Sequence, residues 1–144
     1  LFVAWVGGER YQAADYKGFL KGEQDLAAHW EIVAGLKLQG VGAGTGSSAV
    51  VSSVTSERLM RVLRESAQSL DLSLESYGAA LHMDQALWPT SDPGIPSATV
   101  SWLGSDALTH TPQDTPANVD AEKVGQVGEM ISMAVMVLAS DPAY

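Results

Sequence analysis

The sequence contains no cysteine. That absence removes disulfides, thiolate metal sites and thiol nucleophiles together, and it leaves the redox compartment open. Basic residues are scarce: 8 Lys and Arg stand against 17 Asp and Glu, for a net charge of −9. A chain this acidic, with no Lys/Arg cluster, repels phosphate backbones, so nucleic acid is not expected as a partner. No apolar run reaches the ~18 residues that a spanning helix needs, so no membrane insertion is expected. Leu1–Val6 is apolar but lacks the basic lead and the length of a signal peptide. Charged side chains make up only 17% of the 144 residues, which leads us to expect that part of the surface is covered by something else. What is plentiful is apolar: 46% hydrophobic residues suffice for a core and are too many for a disordered chain.

The unbroken apolar run Leu1-Phe-Val-Ala-Trp-Val6 reads as a strand buried on both faces of a sheet. Residues 11–20 read as a short helix, and Ile32–Leu38 as a second strand. Gly40-Val-Gly-Ala-Gly-Thr-Gly-Ser-Ser48 is a glycine-rich loop, expected to be a flexible connector. Ala49–Val54 reads as a third strand. Thr55 or Ser56 is a candidate N-cap for a helix to about Leu70, whose Leu59, Val62, Leu63, Ala67 and Leu70 form one core-facing stripe. Residues 76–96 read as irregular and Ser97–Leu103 as a strand. Ala121–Ala139 forms a closing helix with Val124, Val127, Ile131, Ala134 and Leu138 on one face. Strands alternating with helices predict a layered α/β domain.

Most local motifs support only ordinary structure. Gly40–Gly46 lacks the Gly-Lys-Ser/Thr ending of a phosphate loop and leads into a strand rather than a helix. The Gly-x-Ser-x-Gly nucleophile elbow is absent. Met130, Met133 and Met136 at helical spacing read as core filler. His82 and Asp84 form a His-x-Asp pair, which reads as a lightly packed surface pair before it reads as a metal site.

Thr109-His110-Thr111-Pro112-Gln113-Asp114-Thr115 stands apart. It follows a strand, its proline stiffens the loop, and Asp114 and Thr115 can bond nearby amides or orient the imidazole. This segment resembles the C-terminal metal-ligand motif of the zinc aminopeptidases of metallopeptidase clan MH, the family of leucyl aminopeptidases, glutamate carboxypeptidase II, glutaminyl cyclases and the non-catalytic transferrin receptors. Other segments fall in the family's order. Leu1–Glu9 is similar to its apolar strand ending in Gly-Glu-Glu, Lys37-Leu-Gln-Gly-Val-Gly42 to its Asn-Leu-Asp-Met-x-Gly, and Gly94-Ile-Pro-Ser97 to its Gly-Ile-Pro-Ala lead-in to a strand. The likeness runs from residue 1 to about 139.

The resemblance implies a three-layer α/β sandwich around a mixed sheet, of which residues 1–144 would be the C-terminal half, and a two-zinc site. In it Glu9 and His110 fall on ligand positions, Gln39 on the position of a ligand Asp, and Asp114 and Thr115 in the shell behind the imidazole. Glu9 and His110 are expected close together. The general base that takes a proton from metal-bound water falls on Gly8, which has no side chain to accept it. Gln39 is a neutral and much poorer zinc ligand than a carboxylate. Two further ligands, a His-x-Asp pair, belong to the family's N-terminal half. Two functions follow as expectations. One is a catalytically inactive domain that binds partners or a peptide-like ligand; the other is part of an active zinc hydrolase completed by the other half. Either way another polypeptide or a second copy is expected to complete the sheet, and the family slightly favours an extracellular, periplasmic or lumenal setting.

Overall fold

The computed structural model describes residues 33–52, 54–77 and 95–141. The apolar run Leu1–Val6, the helix expected at 11–20, and the Gly8, Glu9, His82 and Asp84 positions lie outside the described residues. Four strands form one mixed sheet: β1 (Gly35–Leu38), β2 (Ala49–Ser52), β3 (Leu74–Ser76) and β4 (Ser97–Trp102), in the order β1-β4-β2-β3. β1 runs parallel to β4, β2 antiparallel to β4, and β3 parallel to β2. Two helices, α1 (Glu57–Ser69) and α2 (Ala121–Ser140), pack on each other and on one face of this sheet.

Each helix is specified at its ends. Ser56 caps α1, its Oγ accepting from the Leu59 amide at 3.3 Å. Thr55, the other cap candidate, does a different job: its Oγ1 accepts from the Ser97 amide at 2.8 Å and its own amide donates to the Ser97 carbonyl at 3.0 Å, tying the start of α1 to the start of β4. The far end of α1 closes with Asp71 in the left-handed region (φ 52°), the Asp71 amide on the Gln68 carbonyl and the Leu72 amide on the Ala67 carbonyl. This is a Schellman closure with aspartate where glycine is usual. Asp120 caps α2, accepting from the Glu122 amide at 2.9 Å. Arg58 pairs with Asp141 and so fastens the first turn of α1 to the end of α2.

Side-chain alternation divides the sheet. Ala49, Val51, Ala98, Val100 and Trp102 face the helices and join Leu59, Leu63, Val127, Met130 and Ala134 in one core. The opposite face carries Val50, Ser52, Ser97, Thr99 and Ser101, and these are buried as well. Burial of both faces is consistent with the α/β sandwich that the resemblance implied.

Three expectations need correction. β3 falls in a stretch with no strand reading, or at the edge of the one read as irregular. The buried stripe of α2 is Val127, Met130, Ala134 and Leu138, whereas Val124 is 40% exposed and Ile131 only partly covered. Val124 lies instead against Gly42 in the loop after β1. Of the methionines, Met130 fills the core, but Met136 is 69% exposed.

Candidate functional site

Because β1 and β4 are parallel neighbours, both release their chains at the same end of the sheet. Gln39 is the first residue beyond β1, and its amide donates to the Val100 carbonyl at 2.9 Å, extending the ladder by one bond. Beyond β4 come Leu103, Gly104 (φ 82°), a 3-10 turn at Ser105–Ala107 and then the His110 segment. The fold therefore sets Gln39 at the sheet end from which the segment bearing His110 departs. The third candidate ligand, Glu9, and the Gly8 base position lie outside the described residues, and so does the expected Glu9–His110 proximity.

Hydroxyls hold the His110 segment in place. The Ser105 carbonyl accepts from the Leu108 amide (3.1 Å), the Thr109 amide (3.2 Å) and Thr109 Oγ1 (3.0 Å). Thr111 Oγ1 donates to the Leu108 carbonyl at 2.7 Å and accepts from the Gln113 amide at 3.2 Å. Asp114 and Thr115 contribute backbone amides, to the Thr111 carbonyl at 3.0 Å and the Gln113 carbonyl at 2.9 Å. Between the two threonines His110 is exposed and adopts φ 62°, a left-handed conformation that costs a non-glycine residue about 1–2 kcal/mol. Such a cost persists only where surrounding bonds over-determine it. Nothing in the sequence signals it.

The glycine-rich loop between β1 and β2 is not a flexible connector. It is wedged against the loop after β4 and the start of α2. A Cβ on Gly44 (φ 105°) would lie 2.5 Å from the Leu103 carbonyl oxygen, and one on Gly40 (φ 60°) would lie 2.7 Å from Ser105 Cβ. Only glycine permits these approaches. Hydrogen bonds complete the joint: the Gly46 amide to the Leu103 carbonyl (3.0 Å), the Leu103 amide to the Ser48 carbonyl (3.0 Å) and the Asp120 amide to the Gly42 carbonyl (2.8 Å). Trp102 Nε1 donates to the Gly46 carbonyl at 2.7 Å, and Lys123 Nζ to the Gly44 carbonyl at 2.6 Å. The loop that follows Gln39 and the loop that leads to His110 are thus interlocked.

Two oxygens on described residues are buried without a hydrogen-bond partner, Gln39 Oε1 and Ser52 Oγ. Among the described residues no group of three or more His, Asp or Glu side chains converges on one point. One imidazole and one neutral amide oxygen fall short of a zinc site, which takes at least three protein ligands, usually with charged donors among them. The described donor set does not fit zinc.

A second polar cluster, missed by sequence reasoning, lies along β3. Glu75 accepts from Ser48 Oγ at 2.5 Å and from Tyr77 Oη at 2.6 Å. The Ser48 hydroxyl, followed by that of Tyr77, holds the Glu75 carboxyl below its ordinary range, and the Glu75 carboxylate in turn pushes the Tyr77 phenol up. The cluster clips β3 to the start of β2.

Solved structures that share this fold include two of a zinc aminopeptidase from Bacillus subtilis. They superpose with TM-scores of 0.59 and 0.57 at 21% and 22% identity, each over 81% of this chain. The chain spans 32% of the length of those proteins. No protein-family model and no curated protein matches the sequence. At this identity the likeness establishes the fold: a zinc-aminopeptidase-like α/β sandwich.

Proposed function

We propose that the chain is a partial zinc-aminopeptidase-like domain of the clan MH type, catalytically inactive, that serves as a binding or structural module. Gln39 carries this reading. It occupies the ligand-Asp position at the sheet end where the site would be assembled, and an amide oxygen offers neither the charge nor the affinity of a carboxylate. Gly8 at the general-base position supports the reading from sequence. Removing a general base alone lowers a rate by about 10² to 10⁴. Glu9 and His110 remain the candidate metal residues, and the want of the second carboxylate disfavours zinc there. On this reading another polypeptide or a second copy completes the sheet, and the platform at its end receives a partner or a peptide-like ligand. The exposed Leu38, Val119 and Val124 support a covered surface. The test is hydrolysis of amino-acid anilides with added zinc. No turnover by the chain alone is expected, whereas robust zinc-dependent turnover abolished by His110→Ala would overturn the reading.

A second reading, part of an active zinc hydrolase completed by residues beyond this chain, is favoured by one observation. The chain spans only 32% of the solved aminopeptidases. A His-x-Asp pair encoded ahead of Leu1, and activity restored when the two parts are produced together, would favour it over the first.

A further inference from the structure

Lys123 is misplaced by the ordinary rules of helices. It lies in the first turn of α2, where the partial positive charge of the helix N-terminus disfavours a cation. Its acceptors explain the choice. Nζ donates to the Gly44 carbonyl at 2.6 Å and sits 5.5 Å from the centroid of the Trp102 ring. Trp102 is 4% exposed and grips the same loop through Nε1 and the Gly46 carbonyl. One amine thus touches α2, the end of β4 and the glycine loop, attracted both by a carbonyl dipole and by a ring face.

From this amine a continuous set of contacts leads to the candidate site. Gly44 abuts Leu103 and Ser105 with no room for a side chain, and Gly40, next to Gln39, abuts Ser105. The Ser105 carbonyl gathers the amide and hydroxyl of Thr109, the residue before His110. We propose that Lys123 is a latch: its charge sets the placement of the loop that follows Gln39 against the loop that bears His110, and so positions the two residues relative to each other. The proposal rests on the reading of Gln39 and His110 as residues of one site. It makes Lys123 a positioning residue and identifies neutralisation of one amine as the change that loosens the site.

The experiment compares Lys123→Met, Lys123→Arg and the wild type as the full 144-residue chain, by amide hydrogen exchange and by the imidazole resonances of His110. Losing a hydrogen bond from a charged donor is expected to speed exchange at the Gly46 and Asp120 amides about tenfold. The Leu63 amide in α1 should keep its rate, the His110 resonances should shift, and Lys123→Arg, which keeps the charge, should stay near the wild type. Trp102→Phe, which keeps the ring and loses the N–H, should loosen Gly46 without removing the amine. Three outcomes overturn the latch: unchanged exchange at Gly46 in Lys123→Met, equal acceleration throughout α1, or a loosened loop with unmoved His110 resonances. Zinc titration followed on the same resonances separates the underlying reading. A tight zinc response at His110 would overturn the reading of an inactive site short of ligands, while the exchange result still decides the latch.

Discussion

The helix-covered face of the sheet and the loop platform at its end are built on opposite principles. On the helix face, Leu59, Leu63, Met130, Val51 and Val100 are fully buried and hold one another by apolar area alone. That attraction has no direction, so each side chain needs only suitable size and the right place in a 3.6- or 2-residue period. At the platform the glycines contribute almost no apolar area. Backbone meets backbone there, and the fit depends on the absence of side chains at Gly40 and Gly44. The first region tolerates conservative change and penalises loss of volume; the second penalises gain of volume. Loops joined on the second kind of surface are fixed without a large core beneath them.

Truncation on the helix face should have the largest effect. Leu63→Ala removes a fully buried side chain between α1 and its neighbours, and is expected to cost about 2–5 kcal/mol by denaturant unfolding. On the platform the expected damage runs the other way. Gly44→Ala adds one methyl group at φ 105° against a carbonyl oxygen and should cost roughly 1–3 kcal/mol. It should also disturb the amides of Gly46 and Asp120 before those of α1. If Gly44→Ala were neutral in both unfolding and exchange, the platform would be no more constrained than an ordinary loop, and the contrast would collapse.

The opposite face of the sheet sharpens the comparison, because there a charge takes part. Glu75 titrates lower in the folded chain than in the unfolded one, so its contribution is complete above the ordinary carboxylate range and fades as pH falls through the depressed value. Tyr77, raised by the same pairing, contributes below the ordinary phenol range and loses that contribution as pH climbs through its raised value. Stability measured from about pH 7 down to about pH 3 should therefore fall more in the wild type than in Glu75→Gln. Identical curves would show that the Ser48–Glu75–Tyr77 cluster does not hold β3.

The same contrast explains what was legible in the sequence. The α1 stripe, the Ser56 cap, and the strands at β2 and β4 were readable because periodicity and capping are local. β3 was not: three residues carry no alternation, and their pairing with Ala49–Val51 depends on residues more than a helix away. The glycine loop was legible as a loop and illegible as a wedge, since composition shows where the chain turns but not what it turns against. The family resemblance points to Gln39 and His110; the parallel β1–β4 pairing puts Gln39 at the sheet end from which the His110 segment departs. The left-handed His110 and the Lys123 contact arise from neighbours distant in sequence. A lysine in the first turn of a helix was the one local anomaly that could have flagged the latter.

The smallest expected effect tests whether glycine in this chain always signals contact. Gly125 and Gly128 lie in α2, where glycine is a poor helix former, and a Cβ at either would meet nothing within 4 Å. Unlike Gly40 and Gly44, they have negative φ and open surroundings, so an alanine costs no strain and narrows the freedom of the unfolded chain. Gly128→Ala is expected to stabilise the chain by about 0.5–1 kcal/mol, read as a higher denaturant midpoint with an unchanged slope. A destabilised Gly128→Ala chain would mean that this face of α2 is covered in solution by a close-packed surface. Since Ser132 follows one turn later on α2 and is exposed, that surface would have to approach the helix backbone itself, as a second polypeptide completing the domain could do. The sign of one methyl group's effect therefore separates a solvent-facing helix from an interface.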